Sequence, residues 1–119
     1  EKKLVNFSYE VDGTYTFMDM QTFETYDLSS EQIGFNKYFM VDGLEVSLMM
    51  FEGQVLTVSV PAIVNLTVTE TSPGIKGASN NQTKDAVTET GLTLRVPQFI
   101  EQGEKIAVST EDGKYSSRA

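Results

Sequence analysis

Lys84-Asp-Ala-Val-Thr-Glu-Thr-Gly-Leu-Thr-Leu-Arg-Val-Pro-Gln-Phe-Ile-Glu-Gln-Gly103 decides the fold of this chain. It reads as a strand, a tight turn, a second strand stopped by a proline, and a corner closed by glycine. Pro97 has no N–H to offer a sheet ladder, so the strand ends there. Lys84, Ala86, Gly91, Leu94, Val96, Pro97, Ile100 and Gly103 stand at the spacing that fixes these features.

Working outward, alternation repeats on both sides. Val5, Phe7, Tyr9 and Val11 alternate with polar residues, and Asp12-Gly13 follows as a two-residue hairpin turn. Thr14–Asp19 returns as a second strand with Tyr15 and Phe17 on one face, and Gln21–Tyr26 is expected as a third, carrying Phe23. The period then changes. Ser29 with Gln32 three residues on is a capping-box pattern, and Gly34 limits the segment to short helical turns up to about Phe39. Leu44, Val46, Leu48 and Met50 form the next strand face. Glu52-Gly53 turns the chain into a strand with Leu56, Val58 and Val60 inward.

Three strands, a short helix and two strands is the element order of an oligonucleotide/oligosaccharide-binding (OB) barrel. Pro61 ends that unit. Beyond it come Ile63–Thr71 with Val64, Leu66 and Val68 on one face, then a Gly/Ser/Asn-rich loop, Ser72–Lys84. The two strands of the opening stretch follow, then Lys105–Ser109, the turn Asp112-Gly113 and Lys114–Arg118. The expected fold is therefore all-β, two tandem OB barrels over 1–61 and 62–119, the second with its helix reduced to a connector. A unit of about 60 residues buries only ~60% of its unfolded surface, so the two are expected to pack together.

Composition narrows the chemistry. The chain of 119 residues contains no cysteine and no histidine, which removes disulfides, thiolate metal sites and the commonest general base. No Ser-x-x-Lys pair, phosphate-binding glycine loop or calcium loop is present, and pairs such as Glu111-Asp112 fall in turns. The expectation is a protein that is not an enzyme and uses no cofactor, metal or small-molecule substrate. No apolar run is long enough to span a membrane. Glu1-Lys2-Lys3 is not a signal peptide, and the absence of a starting methionine reads as a trimmed piece of a longer chain.

The net charge of −8 is uneven: residues 1–62 hold three basic and ten acidic side chains, 3 − 10 = −7, and residues 63–119 hold six and seven, 6 − 7 = −1. Bare phosphate would be repelled by the first half and could approach the second. There, Gly74-Ile75-Lys76-Gly77 is either a loop offering backbone N–H groups to phosphate beside Lys76 or a flexible connector. Lys114, Tyr115 and Arg118 are either a packed ring with two solvated cations or a phosphate-and-stacking surface. By period two, Lys114 and Arg118 share a side and Tyr115 faces the other. The aromatics Tyr9, Tyr15, Phe17, Phe23 and Tyr26 lie among acids and are read as core or interface. Three Asn-x-Ser/Thr triplets, at Asn6, Asn65 and Asn81, are read as chance.

The opening signature resembles that of bacterial elongation factor P. Phe17-Met18-Asp19-Met20-Gln21-Thr22-Phe23-Glu24 is similar to that family's second-domain strand, Ser29–Gly34 to its short helix, and Gly113–Ala119 to its C-terminal ending. The likeness covers domains two and three, both OB barrels; the family's first domain, a KOW-type barrel, has no counterpart here. The resemblance implies a cytoplasmic (bacterial) or organellar-matrix factor. It would dock on the ribosome between the P and E sites, contact P-site peptidyl-tRNA and relieve stalling at consecutive prolines by positioning the tRNA ends. It implies that Gly77-Ala78-Ser79, where the family carries Gly-Asp-Thr, approaches the E-site mRNA codon, and that Tyr115 and Arg118 approach tRNA backbone. With Lys76, Lys84 and Lys114 these are the expected RNA-binding residues. The competing expectations are a stand-alone OB-type oligonucleotide- or protein-binding module and a secreted β-rich interaction domain.

Overall fold

The structure, a computed structural model, describes residues 2–73 and 82–119. The chain divides into two compact units, Glu1–Pro61 and Ala62–Ala119. The first consists of β1 (Lys2–Val11), β2 (Thr14–Met18), β3 (Thr25–Ser29), a helical turn α1 (Ser30–Ile33) continued by a 3₁₀ turn (Gly34–Phe39), β4 (Glu45–Phe51) and β5 (Gln54–Ser59). The second consists of β6 (Ile63–Thr71), β7 (Thr83–Thr88), β8 (Thr93–Pro97), β9 (Lys105–Ser109) and β10 (Lys114–Arg118). Strand order is β3-β2-β1-β4-β5 in one and β10-β9-β6-β7-β8 in the other. Counted from each unit's own first strand, the two orders are the same. Every pairing is antiparallel. These are two OB barrels in tandem.

In each barrel the first strand is central and is hydrogen-bonded on both edges. β1 sends Val5 and Phe7 inward to meet Phe17, Leu28, Val46 and Leu48, and β6 sends Val64, Leu66 and Val68 inward. Fully burying such a side chain contributes about 1.5–3 kcal/mol, which is why alternation alone located these strands. The Phe7 ring lies edge-on to Phe17 at 5.6 Å and tilted to Tyr15 at 6.0 Å.

The end of the first barrel between β3 and β4 is plugged by Ile33 from the helical turn and by Met40 just after the 3₁₀ turn. The cap reads as the sequence indicates: Ser29 Oγ accepts from the Gln32 N–H at 3.2 Å, and Gln32 Oε1 accepts from the Ser29 N–H at 3.0 Å. In the second barrel the connector after Pro97 does this work without a helix. Its Ile100 is fully buried, and Gly103 donates to the Val68 carbonyl at 2.7 Å while Val68 donates to that of Glu104 at 2.9 Å.

Period two fails at β-bulges. A register shift between Phe7 and Tyr9 turns Tyr9 and Val11 outward, where the unbroken pattern places them in the core. A second shift, opposite Met49 and Met50, leaves Leu56 60% exposed, while Val55 and Val58 pack inward. The expected third strand is also displaced. Gln21–Tyr26 is mostly a turn, and β3 begins at Thr25 with Leu28 as its core residue.

In that turn Asp19 Oδ1 accepts from the N–H groups of Gln21 and Thr22 at 2.8 and 3.2 Å, the Phe23 N–H reaches the Asp19 carbonyl at 2.7 Å, and Lys3 Nζ holds Asp19 Oδ2 at 3.2 Å. Phe23 is forced to φ +64, a left-handed conformation that costs a residue with a Cβ about 1–2 kcal/mol.

Two outcomes follow from this arrangement. Ser29→Ala removes the cap and lowers the stability of the first barrel by about 1 kcal/mol, read as a drop of roughly 5 °C in its melting temperature. The Asp19 turn is pH-sensitive in a defined direction. The Gln21 and Thr22 N–H groups, then Lys3, hold the Asp19 carboxyl below its usual range, and Asp19, then Tyr26, raise the Lys3 ammonium. The carboxylate contribution is complete above the unfolded value near ~3.9 and is lost as pH falls through the lower folded value. The ammonium contribution is complete below about 10.4 and is lost as pH rises through the higher folded value. Amide protection at Gln21 and Thr22, the exchange rate relative to that of an unstructured chain at the same pH, is greatest between these limits and falls beyond them, which checks it.

Candidate nucleic-acid interface

Between β8 and β10 the second barrel carries a groove of about 900 Å³ lined by Arg95, Phe99, Lys114, Tyr115 and Arg118, with Asp112 at one end. Each side chain is placed by local geometry. On β8, Leu94 and Val96 are buried, so Arg95 between them points out. Its guanidinium is braced along β7, donating to Asp85 Oδ1 at 2.8 Å and to Thr83 Oγ1 and carbonyl at 3.0 and 3.1 Å. The Asp112-Gly113 turn opens β10, with Asp112 Oδ1 accepting from the Lys114 N–H at 3.1 Å.

A bulge then decides the face. The register of β10 against β9 shifts between Tyr115 and Ser117, so Tyr115 pairs with Val108 and Arg118 with Ile106. Val108 and Ile106 are two apart, which puts Tyr115 and Arg118 on one side. Uninterrupted alternation put Lys114 with Arg118 instead, and the extra residue corrects that assignment. Arg118 is fixed from two directions: its Nε donates to Glu104 Oε2 at 2.5 Å, and its guanidinium stacks 4.6 Å from the Phe99 ring centre. Burial, more than any neighbouring charge, raises the Tyr115 phenol above 10; Arg118 lowers it and Glu104 raises it.

Chemically the groove offers two exposed guanidiniums, each already paired with one carboxylate, whose positions suit phosphate oxygens, and two aromatic rings for stacking. Tyr115 and Arg118 are thus brought together on one face of β10, and Lys114, which also lines the groove, stands on the opposite face. Lys84 is not with them: it is only 6% exposed, and its ammonium donates to the Ser72 carbonyl, so it braces the barrel instead of facing a ligand. Lys76, Gly77, Ala78 and Ser79 lie outside the described residues.

The rest of the opening signature is architectural: Ala86, Leu94, Val96 and Ile100 are buried, Gly91 and Gly103 take φ +88 and +90, and Pro97 ends β8. Sequence reasoning missed Arg95, Phe99 and Glu104. The outward phase of Arg95 was readable from period two; the partnership of the other two with Arg118 depends on a connector that has no period. Among the described residues no cluster of carboxylates is arranged to hold a metal ion, and no helix is long and apolar enough to cross a membrane.

Tandem barrels of this strand order place the chain in the OB-fold class of protein. Comparison with known proteins is more specific. The elongation factor P OB domain matches residues 1–58, and the elongation factor P C-terminal domain matches residues 64–118. Elongation factor P 2 of Geobacter sulfurreducens is 43% identical over 119 residues, covering 99% of this chain and 64% of that relative. The chain belongs to the elongation factor P family, and it spans about two thirds of the length of this relative.

Tyr115 reports on the groove. Arg118→Ala removes the cation that lowers its pKa, so the phenol titrates higher still, and Glu104→Gln moves it down. Nuclear magnetic resonance titration of the labelled ring separates the two.

Proposed function

We propose that this chain is the docking body of a translation elongation factor, acting by binding and not by covalent chemistry. The whole factor docks on the ribosome between the P and E sites, contacts P-site peptidyl-tRNA and relieves stalling at consecutive prolines by holding the reacting ends in place. The observation that carries the reading is the groove itself. On a chain of net charge −8, Arg95 and Arg118 line one groove with Phe99 and Tyr115, and Lys114 borders it. The composition of the two units supports it: the first barrel carries 3 − 10 = −7 and the second 6 − 7 = −1, so phosphate approaches the second.

In this reading Tyr115 and Arg118 meet tRNA backbone, with Lys114 alongside. Gly77-Ala78-Ser79, next to Lys76, approaches the E-site codon. Lys84 acts through the strand it braces. Family membership supports the ribosome as partner, and the compartment proposed is the bacterial cytoplasm or an organellar matrix.

Reconstituted translation of a message encoding consecutive prolines tests this. The chain alone gives no stimulation, whereas the chain joined to a family-type first domain gives stimulation. Arg118→Ala weakens binding to ribosomes carrying P-site tRNA by roughly tenfold, the loss of a charged hydrogen bond. A folded joined protein that leaves stalling unchanged would falsify the reading.

A further inference from the structure

The groove accounts for the second barrel and leaves unexplained the most strained residue of the first. Phe23 adopts φ +64 and yet is 68% exposed, so the strain does not place its ring in the core. Met20 on the same turn is 57% exposed. The backbone between them is closely tied: Asp19 receives three N–H groups from the turn, Asp19 itself donates to the Glu24 carbonyl at 2.9 Å, and Lys3 braces the carboxylate from β1. Bulky residues retained in a disfavoured conformation, on a turn the surrounding structure over-determines, mark sites whose geometry serves contact with something else.

The surroundings indicate what that something is. Beside the turn lies a cleft of about 490 Å³ lined by Lys3, Glu24, Tyr26, Phe51 and Glu52. Phe51 is 60% exposed there. The one cation in the lining, Lys3, lies 3.2 and 3.8 Å from the Asp19 and Glu24 carboxylates, and with Glu52 also present the carboxylates outnumber it. A nucleobase could stack on Phe23, but its phosphates would meet these carboxylates within a barrel carrying −7. A basic protein surface meets no such repulsion.

We infer that the β2–β3 turn is a preformed protein-docking tip, in which Met20 and Phe23 enter an apolar pocket on a basic partner protein and Glu24 and Glu52 face its lysines or arginines. An exposed aromatic held rigid before contact loses little conformational freedom on binding, the property that makes such residues dominate interfaces. The inference rests on the ribosomal reading for where the partner is found, since ribosomes carry basic proteins as well as RNA.

Phe23→Gly separates docking from folding. Glycine adopts positive φ freely, so this variant melts at the same temperature as the unaltered chain or higher, while its affinity for purified ribosomes falls roughly tenfold. Met20→Ser weakens binding in the same direction, and Glu24→Lys with Glu52→Lys slows association. A benzophenone amino acid at position 23, irradiated on purified ribosomes, gives a product that survives ribonuclease, is destroyed by protease and maps to a lysine- and arginine-rich protein.

Unchanged affinity in Phe23→Gly overturns the proposal, as does a crosslink destroyed by ribonuclease, or one within the chain or between two copies of it. If the unaltered chain does not bind ribosomes at all, the ribosomal reading fails and the tip proposal with it. If it binds, and Arg118→Ala weakens it while Phe23→Gly does not, only the tip proposal fails.

Discussion

Each barrel depends on its central strand. β1 is hydrogen-bonded to β2 and β4, and β6 to β7 and β9. The inward residues of these two strands, Val5 and Phe7 in one and Val64, Leu66 and Val68 in the other, are the floor on which both neighbours lay their own apolar faces. A one-residue slip of either strand would send its core residues to the surface, so burial fixes register here more strongly than anywhere else. In units this small there is little further core to compensate. The turns, the helical plug and the groove all hang from that alignment.

Where a strand is buried on one face and regular, the sequence was sufficient. The hairpin turns Asp12-Gly13 and Glu52-Gly53 and the capping box at Ser29 were all legible, because each depends on a local conformational preference. The bulges were not. A bulge adds one residue to one strand, and nothing in the composition around Ser8, Leu56 or Ser116 announces it; only the partner strand does. That is why Tyr9 and Leu56 were expected inside, and why Tyr115 was expected opposite Arg118.

The candidate site was half legible for the same reason. Lys114, Tyr115 and Arg118 were visible as a cluster of residue types suited to phosphate and stacking. The groove that gives them meaning needs Arg95 from β8 and Phe99 and Glu104 from the connector, residues brought together by tertiary structure. Phe23 shows the converse failure. Its residue type argued for a strand with the ring in the core or at an interface, whereas the hydrogen-bonding appetite of Asp19 prevailed locally and bent the chain into a turn.

The Lys84 ammonium, inside the second barrel and bonded to the Ser72 carbonyl, joins the two stems of the segment that runs between them. A bracket at the base separates what lies beyond it from the barrel below. Because the entropy of closing a loop grows only slowly with its length, residues between the stems are free to diverge, lengthen or shorten at little expense to the fold. The signature lysine therefore makes the barrel modular: it lets selection rewrite the residues between the stems while the scaffold stays still.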